Sequence, residues 1–229
     1  MPPAPDAAQT LHRLLHERYS CRGFRAEPVP RETLDEILRL AQRTASWCNS
    51  QPWRVHLCSP ALTERLRAEF VAHAQAHDWA PELPFPSAYR GVYLERRRDC
   101  GLRLYRAVGV ERGDAAAAER QRLENFRFFG APQVLLLTTD AALGVYGAVD
   151  CGAWVNGFML AARAFGVASI AQAALACYPA FWRQRLEIGA DRHIVCGISF
   201  GYEDPAHPAN AFRTGRAALD EVVHWEDVD

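Results

Sequence analysis

The sequence has no C-x-x-C pair, and no histidine stands at metal-ligand spacing from any of its seven cysteines. An odd set of unpaired thiols gives poor support to a zinc site or a disulfide framework. The simpler reading is of small buried hydrophobes in a reducing compartment. Met1 to Ser20 lacks a basic stretch followed by an apolar core, so it does not read as a secretory signal. Long hydrophobic runs are also missing: the most apolar segment, Ala153 to Cys177, is broken by Asn156, Arg163, Gly166 and Gln172. With a net charge of −1 there is no excess of either sign to argue for nucleic acid or a membrane surface as partner. The expectation is a cytoplasmic protein.

Catalytic fingerprints are scarce as well. The chain has no G-x-G-x-x-G, no G-x-x-x-x-G-K-[ST], no G-x-S-x-G and no H-E-x-x-H. A self-contained dinucleotide domain and a simple hydrolase are therefore both poor readings. What remains is a 229-residue chain, 49% hydrophobic and 23% charged, enough for one large domain with its own core.

Along the chain, Asp6 is placed to cap a helix carrying Leu11, Leu14 and Leu15. Pro30 suits the first turn of a second helix with Leu34, Ile37, Leu38 and Ala41 on one face. Val55 to Cys58 reads as a short strand, and Ser59-Pro60 opens a helix with Leu62, Leu66 and Phe70. Tyr93 to Val108 and Asp114 to Phe126 read as charged helices, in which Glu95 to Asp99 is a solvated face. Gln133 to Thr139 has a continuous apolar centre and should be a strand buried on both faces. Val149 to Phe165 is helical and apolar nearly all round, which demands cover within the subunit or at an interface. Gly166 should end it. Val167 to Ile170 and His193 to Gly201 are further strands, with a helix from Pro179 between them. Few strands scattered among helices predict an α+β fold with a mixed sheet.

Three segments carry candidate chemistry. In Arg18-Tyr19-Ser20-Cys21-Arg22-Gly23-Phe24 an extended chain puts Arg18, Ser20 and Arg22 on one side. Two guanidiniums and a hydroxyl suit a phosphate, although a solvated basic edge is the commoner meaning of such a run. In Ser46-Trp47-Cys48-Asn49-Ser50-Gln51-Pro52-Trp53, Pro52 pushes Gln51 toward an extended conformation, and Ser46, Asn49 and Gln51 offer hydroxyl and amide groups. Turn and capping chemistry uses the same residue types. Near the end stand Asn210, Arg213 and Arg216.

Together these segments resemble the nitroreductase family of flavoproteins. The family opening R-[RKHY]-S-x-R-x-F corresponds to Arg18 to Phe24, and P-S-x-x-N-x-Q-P-W to the stretch ending at Trp53, with Ala45 in place of the proline. Tyr19 stands where a second arginine is commoner. Phe129 to Pro132, Asp150-x-Gly152, Gly166 to Gln172, Ile198 to Tyr202 and Asn210-x-x-Arg213-x-x-Arg216 follow in the family order.

The resemblance implies a single α+β domain over 1–229, with a mixed sheet flanked by helices. It implies an intertwined homodimer with FMN at the subunit interface, and NAD(P)H as a transient co-substrate. It further implies hydride transfer to a small electron-poor aromatic acceptor such as a nitroaromatic or quinone. Arg18, Ser20 and Arg216 match phosphate ligands, with Tyr19 between them. Arg22 matches the cation near flavin N1 and the C2 carbonyl. Ser46, Asn49 and Gln51 belong to the loop that holds the ribityl chain and ring edge. Ile170, Gln172 and Ala173 belong to the segment facing N5. Residues 81–128 fall where relatives build a lid. No protein side chain is expected to be catalytic, because the flavin does the chemistry. A dehalogenase or dehydrogenase using the same flavin site, or a ligand-binding relative that has lost FMN, are the alternatives.

Overall fold

The computed structural model describes residues 5–226; the first four residues of the Met1–Ser20 segment lie outside them. Four strands form one sheet: β1 (Arg54–Leu57), β2 (Gln133–Asp140), β3 (Ala168–Gln172) and β4 (Arg192–Gly201), in the order β1-β2-β4-β3. The continuous apolar run of β2 explains its central place. Side chains alternate across a strand. Val134 and Leu136 therefore enter one apolar cluster with Phe70 and Trp182, while Leu135 and Leu137 enter another with Ile37 and Phe158. All three strand pairings are antiparallel. Among the described residues, the parallel character of the expected mixed sheet comes down to one bridge, Ser20 to Ser169.

Helices cover both faces. α2 (Arg31–Ala41) and α6 (Gly144–Ala164) close one side, and α3 (Pro60–Ala76) and α7 (Pro179–Leu186) the other. α1 (Pro5–Glu17) lies against α6, and the charged α4 (Gly91–Ala107) and α5 (Ala115–Leu123) lie within 81–128. Among the described residues no helix is long and apolar enough to cross a membrane.

Several boundaries move for identifiable reasons. Asp6 is inside the first turn of α1, where its charge complements the helix dipole instead of capping it. Pro30 is the residue before α2, not its first helical residue. Asp150 lies within α6, which starts at Gly144, a turn or more before the apolar run from Val149. α6 stops as expected at Gly166, whose φ of +73° is the left-handed conformation glycine adopts without strain. Gly166 N–H donates to Arg163 O and Val167 N–H to Ala162 O, the paired bonds of a Schellman ending. α3 starts on Ser59, whose hydroxyl accepts the Leu62 N–H, with Pro60 at its first position. Replacing Ser59 with alanine is expected to cost about 0.5–2 kcal/mol of stability. Urea unfolding monitored by circular dichroism checks this; an unchanged midpoint would show the cap to be idle.

α6 is only partly covered. Trp154, Phe158 and Ala162 are buried, but Val145, Tyr146 and Val149 are 76%, 62% and 58% exposed. Gly152, Ala153 and Asn156 continue the exposed stripe. Leu11 and Leu15 of α1 are exposed too. The expectation that this helix is enclosed on all sides does not hold for a single chain.

Candidate active site

α1 ends at Glu17 and the chain becomes extended along the edge of the sheet. Cys21 N–H donates to Ser169 O on β3 (3.2 Å), and Arg25 N–H to Tyr202 O (2.8 Å). This edge pairing fixes the alternation read from the sequence. Cys21 turns inward and is fully buried, while Arg18, Ser20 and Arg22 line a cavity of about 540 Å³. Arg213 and Arg216 close its far side. Four arginines and one histidine line this cavity, and no aspartate or glutamate does. Burial, with the charge of Arg216 added, pushes the Arg18 guanidinium below its ordinary pKa. Burial does the same to Arg22. Two half-buried cations, Arg18 and Arg22, joined by the exposed Arg213 and Arg216 and, among the described residues, by no carboxylate, form a site that an anion would relieve.

The arginines are held from below. Arg22 Nη1 donates to Ser20 O (3.2 Å), and its guanidinium lies 5.8 Å from the centre of the Phe129 ring. Phe128 and Phe129 have φ of 57° and 50°, left-handed values unusual for bulky residues. Arg67 secures that strained turn by donating to the carbonyls of Arg127 and Ala131. Asn210, buried, accepts from Arg22 N–H (2.8 Å) and donates to Gly23 O (2.9 Å) and Asp204 O (2.9 Å). It ties the arginine strand to the C-terminal segment. Arg213 donates to Asn210 O (2.7 Å) and lies 3.4 Å above the Tyr19 ring. Tyr19 thus supports a guanidinium through its π face, in a position where a second arginine is commoner.

The other predicted loop is elsewhere on the surface. Cys48, Asn49 and Gln51 all have positive φ, a run of strain that the surroundings must enforce. Gln51 N–H donates to Ser46 Oγ (2.9 Å), and Trp47 N–H to the buried Asp150 carboxylate (3.1 and 3.2 Å). Asn49 and Gln51 are exposed, and none of Ser46, Asn49 and Gln51 lines the arginine cavity of its own chain. One chain therefore holds the two halves of the expected cofactor set apart.

A family model described as the nitroreductase family matches residues 15–202. The chain belongs to that family. It is 36% identical over 225 residues to nitroreductase NfnB of Mycolicibacterium smegmatis, covering 97% of this chain and 95% of the relative. A 4-nitrobenzoate reductase of a Nocardioides species is 32% identical, covering 99% and 94%. The crystal structure of the FMN-dependent NfnB from Mycobacterium smegmatis in complex with NADPH superposes with a TM-score of 0.92, covering 97% and 100%. The fold expectation, α+β in the manner of nitroreductases, is borne out by that superposition.

In this nitroreductase-family chain the β3 segment behaves unevenly. Ile170 is buried in the sheet, whereas Ala171 and Ala173 are exposed. The Gln172 side chain is already used: it donates to Asn125 O (2.9 Å) and accepts from Ser199 Oγ. Its amide orders the strand and presents only backbone to a ligand. Sequence reasoning left out Arg213 as a site residue, although it stands in the Asn210-x-x-Arg213-x-x-Arg216 motif. It also missed His16, Cys100 and Asn156, which line the cavity. Asn156 had a signal, as an amide in an otherwise apolar helix; Cys100 had none. The buried thiols are inert by comparison: burial pushes Cys58 up to about 12, and Cys151 and Cys177 to about 11.

Proposed function

We propose that this chain is an FMN-dependent oxidoreductase that passes hydride from NAD(P)H to an electron-poor aromatic acceptor, a nitroaromatic or quinone. The observation that carries the reading is the cavity rimmed by four arginines and no carboxylate. A phosphate monoester brings roughly two negative charges and several acceptor oxygens, which is what such a donor set needs. The names of the relatives support the same reading: they are nitroreductases, and the superposed one binds NADPH.

FMN, held by the arginine cavity, would supply the hydride-transfer chemistry that links NAD(P)H to the acceptor. The chain's own residues bind and orient. Arg18, Ser20 and Arg216 are the phosphate ligands, with Tyr19 supporting Arg213 beside them. Arg22 is the cation for the polar edge of the ring, where a fixed positive charge favours the reduced form. The exposed Ala171 and Ala173 would line the reactive edge of the ring.

The protein works as a homodimer. Leu15 and Asn156 border the arginine cavity and also belong to the uncovered surface of α1 and α6. Trp47, 65% exposed, packs on Tyr146 of the same surface, with ring centres 5.1 Å apart. A two-fold partner seated there brings Ser46, Asn49 and Gln51 of one chain toward the cavity of the other, joining the halves that a single chain keeps apart. Residues 1–229 form one domain, with 81–128 as the lid over the acceptor side, in a cytoplasmic enzyme.

The purified protein is expected to be yellow, with about one FMN per chain, and to bleach on anaerobic addition of NADPH. The visible spectrum checks this. A protein that stays colourless after incubation with FMN overturns the reading.

A further inference from the structure

Behind Arg22 lies a second cavity of about 360 Å³, walled by Val108 to Val110 at the end of α4, by α5, and by His207 and Pro208. Arg22 borders both cavities, so a molecule stacked on the flavin would reach this one past a single guanidinium. The lining carries two carboxylates beside its cations: Glu124 is paired with Arg127 (2.9 Å), whereas Asp114 accepts only Ala117 N–H (2.8 Å) as the cap of α5 and keeps its charge at the α5 end of the cavity. Arg120 makes no ion pair or hydrogen bond among the described residues and lines the cavity from α5. Arg22 likewise makes no ion pair among the described residues; its one side-chain hydrogen bond goes to Ser20 O.

His207 adds a donor. Its Nδ1 accepts Ala209 N–H (3.2 Å), so the neutral ring carries its proton on Nε2. The ring sits directly on Gly23: a Cβ added there would stand 2.2 Å from His207 Cγ. The glycine that follows Arg22 is thus what lets the imidazole pack beside it.

We propose that this cavity is an oxyanion subsite for the substrate that exchanges hydride with the flavin, with Arg120 and His207 as its donors and Arg22 as its inner wall. The inference rests on the oxidoreductase reading above. Two sources share this chemistry: the 2′-phosphate of NADPH and the carboxylate of an aromatic acid acceptor. Their common requirement is a planar or forked cationic donor, which arginine supplies.

Equilibrium titration of the FMN-loaded protein tests this without relying on turnover. NADP⁺ is compared with NAD⁺, and benzoate with benzamide, for the parent, Arg120→Ala and Arg120→Lys. Arg120→Ala is expected to weaken one charged ligand about five- to tenfold, near the low end for a charge-assisted bond because Arg120 is exposed and screened by solvent. Its uncharged counterpart should be unaffected, and Arg120→Lys should recover part of the loss. Selective weakening of NADP⁺ assigns the phosphate; selective weakening of benzoate assigns the carboxylate. Equal effects on charged and uncharged partners, or none on either charged ligand, overturn the subsite. Failure of the oxidoreductase reading shows separately, as a parent protein that is not reduced by either nicotinamide.

Discussion

Arg18→Ala is expected to weaken FMN retention ten- to a hundredfold while leaving turnover at saturating FMN nearly unchanged. On the proposed assignment the substitution removes a charge-assisted phosphate bond, for which roughly 1.5–3 kcal/mol is typical, and that energy converts to about this range in affinity. Arg22→Ala should behave differently. Arg22 is fixed by Ser20 O and the Phe129 face. Its loss should make bound flavin harder to reduce and slow reduction by nicotinamide even at full occupancy. Titrating FMN into each apo variant, followed by anaerobic stopped-flow reduction, separates the two. Identical reduction of Arg22→Ala and the parent at full occupancy would remove Arg22 from the ring.

Val149→Asp is expected to abolish flavin binding altogether, although Val149 lines no cavity described above. It is 58% exposed on the bare stripe of α6, so a carboxylate there leaves the single chain folded and soluble. In a dimer the same carboxylate is buried against apolar surface without a partner, which costs several kcal/mol. Light scattering should give a monomer, circular dichroism an unchanged fold, and the spectrum no flavin. A monomer that keeps FMN and activity would show that each chain builds a complete site.

The sequence showed most of the scaffold because its periodicities are strong. The run Val134 to Leu137 specified a doubly buried strand, and the two apolar clusters divide its side chains as a period of two requires. The alternation of Arg18, Ser20 and Arg22 was legible for the same reason, with the fully buried Cys21 as its counterpart. Three things were not. The start of α6 was hidden because Gly144 and Gly147 are poor helix signals, and the helix there is held by tertiary packing. The uncovered stripe on α6 was invisible because hydrophobicity reports that a face needs cover but not which chain provides it. The support of Arg213 by Tyr19 depends on two segments far apart in sequence, which no local pattern records.

That separation has a consequence for when the site comes into being. Arg18 leaves the ribosome long before Arg213 and Arg216, which follow it on the far side of the whole sheet in sequence. Asn210, which binds the two segments together, also arrives late. Domains begin to fold from the N-terminus during synthesis, but the edge segment finds its partners, Ser169 O and Tyr202 O, only after β3 and β4 have been made, shortly before the cavity gains its second wall. No nascent chain can therefore clamp a phosphate between both groups of arginines. On the proposed assignment cofactor capture waits for the segment from Asn210 to Arg216, and a chain cut short before Asn210 keeps most of its core yet has nothing to close over the ligand.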